Sequence, residues 1–186
     1  MNFFGKLSTI YGKNWEVWIF FCNFVVENKK RIVMNILIGK EFCKVDANGR
    51  FKFPSAHKKL LSAVLEEGFI IRESVFDACL ELWPRKEFER ETGEIISKLN
   101  PYNPQDRLII RKLSEGNPVE LDANDRILIP NDQKKSKKID KDIVLIPKVN
   151  LIEIWDMSAY ESMSKSTTNL AALISERLGG ITKNDE

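Results

Sequence analysis

Two short phrases of the chain bring together a carboxylate, an amide and a guanidinium group at fixed spacing. Asp46-Ala-Asn-Gly-Arg50 returns 76 positions later as Asp122-Ala-Asn-Asp-Arg126. The planar fork of an arginine is suited to guanine O6 and N7 or to a phosphate group. Each arginine could instead form an ion pair with Asp46 or Asp122. We favour nucleic-acid contact for Arg50 and Arg126, because polar residues carried by turns more often serve binding than packing.

The other polar residues of the two phrases are assigned different roles. Asp46 and Asp122 are expected to orient the turns, because a carboxylate repels phosphate and readily accepts hydrogen bonds from its own backbone. Asn48 and Asn124 could bind adenine N6 and N7, although residues at turn centres are more often selected for their backbone angles. Lys52 follows the first phrase and is a further candidate for DNA contact.

Several lysines near the two phrases are candidates for contact with phosphate. Any single lysine is more often just part of a solvated surface. Together they could release the counterions that make DNA affinity depend on salt. They are Lys52, Lys58 and Lys59 in the first copy and Lys134, Lys135, Lys137, Lys138 and Lys141 in the second.

Charge balance limits how such binding can work. The chain has 186 residues, with 29 Lys and Arg against 27 Asp and Glu, and residues 34–186 carry 24 against 25. The repeated region is therefore nearly neutral, so nucleic-acid binding requires its basic side chains to be concentrated on one face. A content of 43% hydrophobic and 30% charged residues is typical of a folded, soluble protein.

The sequence contains no arrangement that predicts catalysis or metal binding. His57 is the only histidine, and no cysteine or aspartate stands near it at ligand spacing. Cys22, Cys43 and Cys79 are odd in number and far apart, which favours neither a disulfide framework nor a zinc site. Glycine-rich phosphate loops and nucleophile motifs are missing as well. We expect no enzymatic activity, no cofactor, no metal and a reducing, cytoplasmic location.

The first 33 residues differ from the rest of the chain. Their apolar run, residues 15–26, is shorter than the roughly 20 residues of a membrane span. Glu27 and a basic stretch follow the run, where a secretory signal would have small residues for cleavage. We expect neither a membrane span nor a cleaved signal. The preferred hypothesis is that translation begins at Met34, and the alternative is a docking helix or strand.

A second pair of phrases extends the repeat. Leu80-Glu-Leu-Trp83 returns 72 positions later as Ile152-Glu-Ile-Trp155. Two phrases kept in the same order indicate a duplicated unit of roughly 45 residues whose copies differ by a loop. Trp83 and Trp155 end strands with apolar neighbours, so packing is expected of them rather than base stacking.

Local patterns predict strands interspersed with helices. Each copy begins as strand, turn, strand and helix, and Asn48-Gly49 favours a hairpin turn with positive φ at both central positions. A unit of this size has too small an interior to be stable alone, so the two copies should pack into one shared barrel. Further strand pairs are predicted at 69–71 with 78–83 and at 143–146 with 151–155, and helices at 55–67, 85–99, 158–164 and 170–178.

Taken together, the residues from Met34 to Tyr160 resemble a known family of bacterial transcriptional regulators, the MraZ family. The two repeated D-x-x-x-R phrases and the two repeated phrases ending in tryptophan are the most specific part of this resemblance. Its other residues are Gly39, Pro54, Asn100, Pro101, Asp106, Arg107, Arg111, Ile129 and Pro130.

The resemblance implies a β-rich α+β fold, in which two tandem SpoVT-AbrB-like repeats form a double-split, swapped-hairpin β-barrel with linking and C-terminal helices. It implies that Asp46, Arg50, Asp122 and Arg126 face DNA. The corresponding divisions of the chain are an N-terminal extension at 1–33, a first repeat at 38–86, a linking helical segment at 87–116, a second repeat at 117–160 and a helical tail at 161–186.

Four residues depart from what the family commonly has. Asn48 and Asn124 stand where a basic residue is frequent, and Asp125 and Pro147 stand where glycine is common. These departures predict weaker attraction to phosphate and an altered sequence preference.

The function implied by the resemblance is sequence-specific binding of double-stranded DNA that regulates transcription, with repression of the protein's own division and cell-wall operon. A homo-oligomeric ring would bind direct repeats in the promoter, in the cytoplasm and at the nucleoid, without membrane contact. Two alternatives stay open: an antitoxin-like DNA binder of the AbrB class, and a ring that scaffolds a protein partner with little DNA binding. An amphipathic stretch within 160–186 would suit the antitoxin, whereas tandem copies in one chain argue against it.

Overall fold

A computed structural model of the chain describes residues 39–62, 65–166 and 170–178. The chain divides into two units, Met1–Ile36 and Leu37–Glu186, and all the described residues belong to the second unit. The hypotheses on residues 1–33 and on a start at Met34 therefore lie outside the described residues.

Strands and helices follow the same order in both copies of the repeat: two strands, a helix, two strands and a helix. A further helix, α3, separates the copies, and another, α6, follows the second copy. The strands are β1 (Glu41–Lys44), β2 (Arg50–Lys52), β3 (Phe69–Glu73), β4 (Leu80–Pro84), β5 (Asn117–Val119), β6 (Arg126–Leu128), β7 (Asp142–Lys148) and β8 (Leu151–Asp156). The helices are α1 (Ser55–Leu60), α2 (Arg85–Ile96), α3 (Pro104–Ser114), α4 (Asn131–Ser136), α5 (Met157–Ser166) and α6 (Leu170–Leu178).

Six of these strands form one antiparallel sheet in the order β1-β7-β8-β4-β3-β5, while β2 and β6 form a separate pair. The two copies are interleaved, since β7 and β8 of the second copy lie between β1 and β4 of the first. The expected α+β class is confirmed. The predicted pairing of β3 with β4 and of β7 with β8 is confirmed as well.

The hairpin predicted around the first turn is confirmed only next to the turn, where Val45 and Phe51 form an isolated antiparallel bridge. β1 pairs with β7 and β2 pairs with β6, so the strands on either side of the turn have their partners in the other copy. In the second pair, Phe51 and Ile127 are Cα partners, and both are buried. Burial of such apolar side chains between the copies is favourable, and it depends on contacts that a local sequence pattern cannot reveal.

Each turn has positive φ at one central residue, where the sequence predicts two. The φ angle is 81° at Gly49 and 58° at Asp125, and the asparagine before each of them is not in this region. The carbonyl of Gly49 accepts a hydrogen bond from the N–H of Ile129 at 2.9 Å, and that of Asp125 accepts one from Phe53 at 2.8 Å. These bonds between the copies fix the turn carbonyls. They add to the bonds that close each turn, in which the N–H of Asp46 donates to the carbonyl of Arg50 and that of Asp122 to the carbonyl of Arg126.

The phrases that end in tryptophan lie side by side at the centre of the sheet. Trp83 on β4 and Trp155 on β8 are 6% and 3% exposed, so both pack in the interior as predicted. Each indole N–H donates to Oε2 of the glutamate two residues earlier, Glu81 or Glu153, at 3.0 Å. Each buried indole therefore has a hydrogen-bond acceptor for its N–H group, which is its single polar group.

Helix boundaries differ from the predictions in the first half of the chain. The helix predicted at 55–67 is divided into α1 and a 3₁₀ turn at Leu65–Glu67, and the one predicted at 85–99 ends at Ile96. Helix α3 lies within the linking helical segment expected at 87–116, but its own start and end are not among the predicted helix bounds. It begins after Asn103, whose side chain accepts a hydrogen bond from the N–H of Gln105 at 2.8 Å, and Pro104 occupies its first position. Both features are recognised helix-start signals.

Candidate nucleic-acid interface

Each D-x-x-x-R phrase is built around an aspartate that accepts hydrogen bonds from its own turn. Asp46 Oδ1 accepts bonds from the N–H groups of Asn48 and Arg50, both at 2.9 Å. Asp122 Oδ1 accepts the corresponding bonds at 2.8 and 3.0 Å. The two turns therefore share the same hydrogen-bonding pattern, and the arginine of each phrase is the first residue of the strand that follows, β2 or β6.

The pairing of β2 with β6 brings four charged side chains of the two phrases into one group, here called the turn cluster: Asp46, Arg50, Asp122 and Arg126. Nε and Nη2 of Arg126 each lie 2.9 Å from Asp122 Oδ2, and its Nη1 lies 3.6 Å from Asp46 Oδ2. Nη1 of Arg50 lies 3.7 Å from Asp122 Oδ2. Ion pairing thus joins the two copies, yet the side chains of Arg50 and Arg126 remain 41% and 33% exposed.

The hydrogen bonds of the turn cluster lower the pKa of both aspartates. For Asp46 the N–H of Arg50 has the largest effect on the pKa, and it outweighs the opposing effect of burial together with the bond from Asn48 and the arginine charges. For Asp122 burial raises the pKa, but the bonds from the side chain and backbone of Arg126 lower it by more. Both carboxylates are consequently ionised at neutral pH and offset the charge of the two arginines.

The remaining predicted DNA contacts lie around the turn cluster. Asn48 and Asn124 are exposed, as is Lys52, whose Cα partner on the adjoining strand is Arg126. The structure therefore places all seven predicted site residues on or beside the two turns. The sequence did not reveal that the two turns lie close together, because this depends on the pairing of β2 with β6.

The lysines predicted to contact phosphate differ in whether their ammonium groups are already bound within the protein. Lys137 donates to the carbonyls of Ser74 and Asp77, each at 2.9 Å, so it belongs to a structural contact. Lys58 Nζ pairs with Asp125 Oδ1 at 2.5 Å, which links helix α1 of the first copy to the turn of the second. Lys59, Lys135, Lys138 and Lys141 are exposed.

His57 lies in the interior beside Phe53. It is 2% exposed and its ring is 6.0 Å from that of Phe53 in an edge-on arrangement. Among the described residues, neither ring nitrogen has a hydrogen-bond partner. Burial lowers the pKa of this imidazole, so the neutral form is favoured.

The described parts of the chain contain no group of three or more His, Cys, Asp or Glu side chains arranged to hold a metal ion. No helix among those residues combines the length and apolar character that crossing a membrane requires.

Comparison with known proteins places the repeats in a family. Residues 113–178 match the model of the family described as "MraZ protein, putative antitoxin-like". Transcriptional regulator MraZ of Flavobacterium psychrophilum is 40% identical over 154 residues, which cover 82% of this chain and 98% of that protein.

Two other relatives give the same result. Transcriptional regulator MraZ of Christiangramia forsetii is 40% identical, with 77% of this chain and 93% of that protein covered. The protein of the same name from Bacteroides thetaiotaomicron is 34% identical, with coverage of 80% and 96%. Because this identity extends over nearly the whole of each relative, the chain belongs to the MraZ family.

Proposed function

We propose that this chain is a sequence-specific DNA-binding regulator of transcription and has no enzymatic activity. The names of its relatives support regulation of transcription. In this proposal Arg50, Arg126, Asn48, Asn124 and Lys52 form the surface that faces DNA, and Asp46 with Asp122 orients the two turns.

The observation that carries the proposal is the convergence of both D-x-x-x-R phrases in the turn cluster. Two guanidinium groups that share contacts with Asp122 are close enough to approach one segment of DNA together. Both remain partly exposed, so the turn cluster is accessible to DNA. Aspartates that anchor the backbone of the turns pre-organise the arginines, and such pre-organisation lowers the cost of binding.

We further propose that the eight strands form the double-split barrel of two SpoVT-AbrB-like repeats, and that subunits assemble into a homo-oligomeric ring. Each subunit would present one turn cluster, and the ring would bind successive direct repeats in a promoter. Contacts that are weak individually then gain from high effective concentration. Repression of the protein's own division and cell-wall operon, in the cytoplasm and at the nucleoid, follows if these repeats overlap promoter elements.

One observation favours a protein partner as a second candidate. Helix α6 exposes Leu170, Leu173 and Ile174 by 52%, 52% and 48% of their surface. An exposed apolar row of this kind suits an antitoxin-like or scaffolding interaction. Such an interaction could accompany DNA binding or replace it.

An electrophoretic mobility shift assay with the DNA upstream of the protein's own gene tests the proposal. The wild-type chain should retard this duplex in the presence of excess unrelated DNA. Arg50→Ala should bind it about 5- to 150-fold more weakly, because a bidentate arginine contact is worth about 1–3 kcal/mol. Arg107→Ala is the matched control, since Arg107 is also an exposed arginine but lies on α3.

Two results would contradict the proposal. Failure of the wild-type protein to retard the upstream duplex would favour the scaffolding alternative. Equal binding by Arg50→Ala and Arg107→Ala would remove the turn cluster from the proposed interface.

A further inference from the structure

We infer that the two arginines of the turn cluster have different tasks: Arg50 contacts DNA, whereas Arg126 is a positioning residue that keeps Arg50 available. This inference rests on the proposed function. It arises because the two turns are alike in backbone geometry but hold their arginines differently.

Arg126 is held firmly by its own turn. Its Nε and Nη2 lie 2.9 Å from Asp122 Oδ2, and its Nη1 reaches towards Asp46 Oδ2 at 3.6 Å. Hydrogen bonds between charged groups at such distances are among the strongest in proteins. Movement of Arg126 towards DNA would require the two bonds at 2.9 Å to break and would leave Asp122 Oδ2 without its main partner.

Arg50 is held loosely. Its one ion-pair contact, with Asp122 Oδ2, is 3.7 Å long, and its side chain makes no hydrogen bond among the described residues. It does not bond to Asp46, which stands where Asp122 stands relative to Arg126. With 41% of its side chain exposed, Arg50 can turn towards a ligand without breaking a short bond.

The neighbouring residues strengthen this difference. The residue before Arg50 is Gly49, which has no side chain, and Lys52 on the same strand is exposed. The residue before Arg126 is Asp125, whose carboxylate is already paired with Lys58. The first turn therefore adds the positive charge of Lys52 to that of Arg50, whereas Lys58 and Asp125 offset each other at the second turn.

Arg126 affects Arg50 through the carboxylate that both contact. Asp122 Oδ2 is occupied by Arg126, so it interacts only weakly with Arg50. Without Arg126, this oxygen would be an unpaired acceptor 3.7 Å from Arg50 Nη1. The Arg50 side chain would then close onto Asp122, because a short charge-assisted bond would become available to it.

The test compares Arg126→Ala with the double variant Arg126→Ala/Asp122→Asn. Asparagine keeps the side-chain oxygen that accepts bonds from the N–H groups of Asn124 and Arg126, but it removes the negative charge that would capture Arg50. Arg50→Ala, alone and with Asp122→Asn, provides the matched comparison. The probe is a fluorescent duplex of the DNA upstream of the protein's own gene, with affinity measured by anisotropy over a series of salt concentrations.

We expect Arg126→Ala to weaken binding by the same factor as is expected of Arg50→Ala, about fivefold or more. The double variant should recover to within about threefold of the wild type, with an unchanged dependence on salt, because no contact with DNA has been removed. Asp122→Asn should not restore Arg50→Ala. If the double variant binds as weakly as Arg126→Ala and depends less on salt, Arg126 itself contacts DNA and the inference is overturned.

Two controls separate this result from loss of the fold and from failure of the proposed function. Thermal unfolding and the oligomeric state are measured for each variant. If Arg126→Ala fails to fold, the double variant is compared directly with Arg50→Ala, because it removes the charges of Arg126 and Asp122 together. Equally weak binding of DNA by these two variants contradicts the inference. A wild-type protein that does not bind the duplex contradicts the proposed function, whereas wild-type binding without rescue contradicts only the division of tasks.

Discussion

Glu81 and Glu153 lie directly opposite each other as Cα partners on β4 and β8, and both are buried. Like charges at such positions destabilise a sheet unless they are compensated. Each carboxylate has its own cation: Arg72 Nε donates to Glu81 Oε2 at 2.8 Å, and Lys148 Nζ donates to Glu153 Oε1 at 2.8 Å. The cations differ in exposure, since the side chain of Arg72 is 11% exposed and that of Lys148 is 58% exposed.

This difference predicts unequal effects of alanine at the two glutamates. Glu81→Ala should lower the free energy of unfolding by about 3–5 kcal/mol, because it leaves the buried guanidinium of Arg72 without its carboxylate and the indole of Trp83 without its acceptor. Glu153→Ala should cost about 1–2 kcal/mol, because Lys148 can be hydrated and the main loss is the hydrogen bond from Trp155. Urea unfolding at equal protein concentration measures both values. Equal losses would mean that the exposure of the cation is unimportant.

Two glycines should respond to alanine with opposite signs. Gly49→Ala should destabilise the protein by about 1–2 kcal/mol, because an alanine is strained at positive φ. The new Cβ would also lie 3.3 Å from the carbonyl oxygen of Ile129. Gly93→Ala should stabilise it by about 0.5–1 kcal/mol, since Gly93 lies inside α2 with open space around it. Thermal unfolding of the two variants provides the comparison, and a stabilised Gly49→Ala would contradict the turn geometry.

His57 should make stability depend on pH. Burial holds its pKa below the ordinary value of 6.5, against a smaller opposite effect of Glu41. The unfolded chain therefore binds the proton more readily, so this contribution to stability is complete above about pH 6.5 and is lost as pH falls through the folded pKa. His57→Gln, which copies Gln133 at the corresponding position of the second repeat, should flatten the profile. Chemical unfolding between about pH 7 and about pH 5 measures this, and parallel profiles would contradict it.

The sequence predicts the parts of this fold that depend on neighbouring residues. Local patterns predict the order of strand, strand and helix in each copy. They also predict the pairing of β3 with β4 and of β7 with β8, and the burial of Trp83 and Trp155. Local patterns do not predict the pairing of β1 with β7 or of β2 with β6, because these pairings depend on contacts between distant parts of the chain. The start of helix α3 could have been predicted from Asn103 and Pro104, which are typical of a helix N-terminus, but apolar periodicity alone does not indicate it.

The candidate site shows the same division. The repeated phrases identify Arg50 and Arg126 and predict that Asp46 and Asp122 accept hydrogen bonds from their turns. They give no sign that Asp122 is shared by both arginines or that Lys58 binds Asp125 of the other copy. Sequence similarity between repeats therefore predicts equal roles, and the differences between the repeats arise only from how the copies pack.

Site-specific cross-linking tests the central claim, contact of the two turns with DNA, most directly. A photoreactive phenylalanine is placed at Asn48, at Asn124 or, as a control, at Tyr102, all of which are exposed. Each protein is irradiated with the duplex from upstream of its own gene. We predict covalent complexes from positions 48 and 124 and none above background from position 102. Retention of DNA binding without cross-linking from either turn position would contradict the account.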